Sequence, residues 1–167
     1  MATGTFELHP LQMIGDPTNP PGLLYTALNR PYLTFLNTAI TSGIYLLPQL
    51  PTDYASDLVA DIMWSGSAST TVTDSIQWTV YVMAYTPDTD SVSGITDSFD
   101  TENVAADDIL GTTAVRIQTL SIALSNDDLA VAGDYLVLRV LRDFNDAADD
   151  LAETAYFWGG ALRWTTT

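Results

Sequence analysis

Cysteine is absent from the 167 residues, lysine is absent too, and histidine occurs once, at His9. Without thiols there is no disulfide framework, no thiolate metal site and no cysteine nucleophile. Without lysine, all side-chain positive charge rests on five arginines against 21 acidic residues, for a net charge of −16. A surface this negative repels phosphate backbones and anionic lipid headgroups, which argues against nucleic acid and membrane as partners. No apolar run approaches the ~18 residues of a membrane helix. The first ten residues lack the basic and apolar regions of a signal peptide, so synthesis and folding are expected in the cytoplasm. No Gly-rich phosphate loop ending in lysine occurs. His9 stands beside Pro10, far in sequence from any candidate nucleophile, and reads as a surface or packing histidine rather than part of a triad.

What is present is a core. Hydrophobic residues make up 47% of the chain and charged residues 16%, a balance that folds rather than stays disordered. The length suits one domain. Residues 1 to 30 carry a short strand-like piece, Thr5 to His9, and then Pro17, Pro20 and Pro21, which interrupt regular structure. This stretch reads as an extended N-terminal arm, laid across a neighbour or loosely ordered, ahead of a body over residues 31 to 167.

In the body the side-chain period is two almost throughout. Ile76, Trp78, Val80, Val82 and Ala84 alternate with Ser75, Gln77, Thr79, Tyr81 and Met83, the mark of a strand with one face in a core. Leu58, Ala60, Ile62 and Trp64 repeat the pattern, as do Leu120, Ile122 and Leu124, and Leu136, Leu138 and Val140. Tyr156, Trp158, Leu162 and Trp164 share one parity, with Gly159 and Gly160 at an expected bulge. Tyr32 to Asn37 and Gly43 to Leu47 bring the count to about eight. Short strands separated by polar turns and long crossovers such as Asp88 to Ala114 predict an all-β, antiparallel β-sandwich of jelly-roll type.

Three groups of residues invite a chemical reading. Asp143, Asn145, Asp146 and Asp149 cluster in one loop and offer oxygen ligands of the kind calcium prefers, though without EF-hand spacing; Asp97, Asp100 and Glu102 form a similar group. The alternative is a set of solvated acidic loops. The four tryptophans could stack on sugars, but all share parity with core aliphatics, so packing is the expectation. Tyr81, Tyr85, Tyr135, Val137 and Leu141 fall on the outward parity and are interface candidates. Each arginine is expected to find an acidic partner.

Several segments together resemble a known family. "LPTDYASDLVADIMWSGSAST" from Leu50, "SIQWTVYVMAYTPDTDSV", "DSFDTEN" and "LSNDDLAVAGDYLVLRVLRDFNDAADDLAETAYFWGGALRW" occur in order. They are similar to the motifs of a β-sandwich domain family of tailed-phage virion structural proteins, over residues 31 to 165. The chain departs from that pattern at "TAYFWGGALRW". The resemblance implies a virion component on the capsid surface: a capsid decoration (cement) protein that binds the major capsid protein as a homotrimer. The alternative it leaves open is a receptor- or carbohydrate-binding tail-fibre or appendage domain. It supplies no catalytic residues, and with no cofactor motif in the chain the expectation is a protein that is not an enzyme.

Overall fold

A computed structural model of the chain describes residues 2–67, 73–90, 98–110 and 116–167. Eleven strands are described: β1 (Thr3–Leu8), β2 (Ile14–Gly15), β3 (Gly22–Tyr25), β4 (Pro31–Phe35), β5 (Thr41–Gln49), β6 (Tyr54–Gly66), β7 (Ser75–Tyr85), β8 (Asn103–Asp108), β9 (Gln118–Ala123), β10 (Tyr135–Arg142) and β11 (Ala155–Thr166). One sheet runs β3-β4-β11-β6-β9 with β1 also paired to β11; the other runs β2-β5-β10-β7-β8. The strand pairings are antiparallel throughout.

Taken alone, β4 to β11 form the orders β4-β11-β6-β9 and β5-β10-β7-β8. First and last strands are neighbours in one sheet and the chain crosses between sheets at nearly every step, which is the jelly-roll wrapping. The alternating residues do what their parity predicts. Ile76, Trp78, Val80 and Val82 of β7, Leu58, Ala60, Ile62 and Trp64 of β6, and Leu136, Leu138 and Val140 of β10 are all buried between the sheets. At the centre Phe35 packs edge-on against Trp78, ring centroids 4.9 Å apart. β8 was not evident in the sequence, where its residues fell inside the long crossover. Its more buried positions are Asn103, Ala105 and Asp107, which carry almost no apolar signal.

Two sequence expectations change. The N-terminal thirty residues pair with strands of the body in this fold. β1 pairs with β11 from Thr3 to Leu8 and buries Leu8 in the core, β2 extends the second sheet, and β3 forms a hairpin with β4. The prolines confine regular structure to short pieces between them without preventing pairing. The second change lies in β11. Phe157 pairs with Trp64 and Gly159 with Met63, which leaves Trp158 as an extra, bulged residue. Parity therefore inverts within the strand: Phe157 points inward with Leu162 and Trp164, while Tyr156 and Trp158 are only partly covered. Gly159 takes φ +122°, and a Cβ there would press on the Leu8 carbonyl oxygen at 2.8 Å. Glycine makes the bulge possible.

Candidate functional site

The bulge hollows the outer face of the first sheet. A groove of about 420 Å³ lies there, floored by Gly159, Gly160 and Ala161 of β11. Thr5, Glu7 and His9 wall it on one side, Asp61, Met63 and Thr119 on the other, and Trp158 also lines it. The register explains the grouping: Ala161 has Glu7 opposite on β1 and Asp61 opposite on β6. Small residues on the central strand, with longer ones on its neighbours, leave a trough.

Trp158 does not stand alone. Its ring lies 4.8 Å from that of Tyr32 at 32°, and 6.4 Å from that of Tyr156, edge to face. The indole N–H donates to the buried Ser65 hydroxyl at 2.9 Å, which fixes the ring's rotation. Asp61 accepts from the Arg163 guanidinium, with Nη2 to Oδ1 at 2.7 Å and a second bond from Nε, and from the Ser121 hydroxyl at 2.6 Å. The Arg163 hydrogen bond holds the Asp61 carboxyl below its ordinary value, against the opposing effect of burial. The carboxylate in the groove is thus ionised and its position fixed. His9 caps the 3₁₀ turn Pro10–Gln12: its Nδ1 accepts from the Leu11 N–H at 3.2 Å, and its own N–H donates to the Gln12 side chain.

The residues singled out from sequence fare unevenly. Asp149 forms a bidentate ion pair with Arg142, both side chains fully buried, so its oxygens are committed to a guanidinium. Asp143 Oδ1 and Asp146 Oδ1 accept from the backbone N–H groups of Asn145 and Ala148, closing local turns. The calcium candidates Asp143, Asn145, Asp146 and Asp149 are therefore not brought together as a ligand set. No group of three or more acids or histidines that could hold a metal ion occurs among the described residues. Asp97 lies outside the described residues.

Of the interface candidates, Tyr135 is exposed and Tyr81 and Tyr85 are half-buried. Val137 and Leu141 are buried, at 9% and 6% exposure, contrary to the expected open apolar face. β10 is central in its sheet, and the register sets Val137 between Leu46 and Met83 and Leu141 between Ser42 and Thr79. Between them on the same face, the Arg139 side chain reaches Ser42 and pairs with Asp16 at 3.5 Å. Neighbouring side chains cover the two residues without a partner protein. Tyr81 donates to Glu102 at 2.9 Å.

Three tryptophans are core residues as expected: Trp64, Trp78 and Trp164 are buried. Trp158 is the exception, and Tyr32, Glu7 and Asp61 were not linked to it by sequence. The signal that could have found it is Gly159-Gly160 itself, because one inserted residue turns the preceding indole outward.

No protein-family model and no curated protein matches the chain. Among solved structures, the apo form of a cyclase from Fischerella sp. is similar at 12% identity, covering 98% of this chain and 84% of that one, with a TM-score of 0.46. A family 11 carbohydrate-binding module from Clostridium thermocellum, solved with a β-1,3-1,4-mixed-linked tetrasaccharide, is similar at 8% identity, covering 99% and 89%, with a TM-score of 0.42. A cyclase from Fischerella sp. TAU is similar at 11% identity, covering 99% and 75%, with a TM-score of 0.41. The expectation that the chain is not an enzyme is corrected by this finding: chains of similar arrangement are named cyclases, so that exclusion is withdrawn.

Proposed function

We propose that this chain is a binding domain that holds a neutral saccharide in the groove on the outer face of the first sheet. The observation that carries this reading is Trp158, turned out of the core by the Gly159 bulge and stacked against Tyr32 at the groove's edge. An indole held by Ser65 offers a rigid apolar surface with little entropy to lose on binding, suited to the C–H face of a sugar ring. Glu7, Asp61, Thr5 and Thr119 line the same trough and supply acceptors and donors for hydroxyl groups. The net charge of −16 disfavours acidic polysaccharides, which leaves uncharged sugars as the class.

The resemblance in sequence to virion domains supports a setting on a phage particle, with the major capsid protein or a tail structure as the attachment point. Copurification with assembled heads at fixed stoichiometry tests that setting separately. The binding reading is tested by a glycan array followed by calorimetry on the wild type and Trp158→Ala. Binding of a neutral glycan, weakened roughly tenfold or more in the variant, is the expected result. A wild type that retains no glycan, or a variant that binds as well as wild type, overturns it.

A further inference from the structure

We infer that the edge strand β3 is an interface at which two copies of this chain pair across a two-fold axis. β3 ends the six-stranded sheet, and no described strand covers its outer edge. All four of its residues are exposed. Leu23 sits opposite the buried Leu33 and so faces the interior side, while Leu24 sits opposite Tyr32 on the outer side. Both leucines remain exposed, so the packed interior ends at β4 and β3 overhangs it with apolar side chains on both faces. Tyr25 and Leu28, the latter 81% exposed, continue the patch into the hairpin loop.

Unprotected apolar edges invite pairing with another strand, and folded proteins blunt them with charge or brevity. Both edges of the second sheet show such devices. β2 is only two residues long, and β8 ends on Asp107 and Asp108. β3 has none.

Charge decides what covers it. Residues 17 to 52 contain no aspartate or glutamate, although the chain carries 21 acidic residues; the one charge in that span is Arg30. Two copies repel one another over most of their surfaces but meet without like-charge conflict along β3. Antiparallel pairing of a strand with itself is isologous, and it satisfies the outward main-chain groups of both copies at once. A basic partner would be drawn to the acidic loops instead. The pairing does not depend on the saccharide reading.

The test is solution mass by light scattering on the whole chain across the micromolar range, with circular dichroism to confirm folding. Wild type is expected at twice the chain mass. Leu23→Glu and Leu23→Lys, each at an exposed position, are expected to fold and to halve that mass. An equimolar mixture of the two is expected to restore the doubled mass through opposite charges across the axis. A monomeric wild type, a trimer, or a dimer indifferent to both substitutions overturns the inference.

Discussion

Arg142 and Asp149 form a bidentate pair sealed from solvent, with Nε and Nη2 at 2.8 and 2.7 Å from the two carboxylate oxygens. The other guanidinium hydrogens go to the carbonyls of Phe35, Glu153 and Leu151, so all five donors are used. The Asp149 carboxylate also accepts from the backbone N–H of Gln77. One side chain thus binds the loop after β10 to β4 and sets it beside β7. Buried charge is tolerated here because every polar atom of the arginine has a partner.

Removing one member leaves the other charged and unpaired in the interior. We expect Arg142→Met to cost about 3–5 kcal/mol of stability, measured by urea unfolding. The double substitution of Arg142 and Asp149 to methionine and leucine should cost less than the single one. A single variant as stable as wild type would show that the pair is dispensable.

At Gly159 the backbone has a positive φ and the Leu8 carbonyl lies where a side chain would begin. Gly159→Ala is expected to lose about 1–3 kcal/mol, and the environment of the Trp158 indole should change with it. Unchanged melting and unchanged tryptophan fluorescence would refute the account of the bulge.

Asp61 is depressed by Arg163, so the stability this carboxylate contributes is present above the ordinary carboxylate range and is lost as pH falls through its lowered value. The melting-temperature gap between wild type and Arg163→Gln should therefore be widest near neutrality and close in acid. A gap that stays constant with pH would rule out an electrostatic role for the pair.

Tyr54 behaves oppositely. Burial first, then the nearby Asp127, push its phenol from 10.0 up to about 12. Its stabilising contribution is full below pH 10 and is lost as pH rises toward 12. Wild type should lose stability over that window more steeply than Tyr54→Phe. Parallel alkaline profiles would contradict this.

The sandwich was legible because period-two patterning is a property of neighbouring residues. β6, β7 and β10 each announce their inward face, and those faces are the core. β8 was illegible because two of its three inward positions, Asn103 and Asp107, are polar and the third is only Ala105: Asp107 faces the Trp64 indole N–H and the Gln118 amide rather than apolar neighbours. The loop acids pointed to a cation, yet Asp149 answers to Arg142, a partner visible only once the loop folds back. The groove was hardest to foresee. It is assembled from β1, β6, β9 and β11, which lie far apart in sequence, and its tryptophan carries the parity of the core until the bulge is counted.

That count has an evolutionary corollary. Deleting one residue around Gly159 would slide the indole of Trp158 under the sheet and push a core aromatic such as Phe157 into water, trading both surfaces in a single step. The length of β11 at this point is locked. Variation in what the trough prefers should therefore arise on β1 and β9, whose side chains can change without moving the frame.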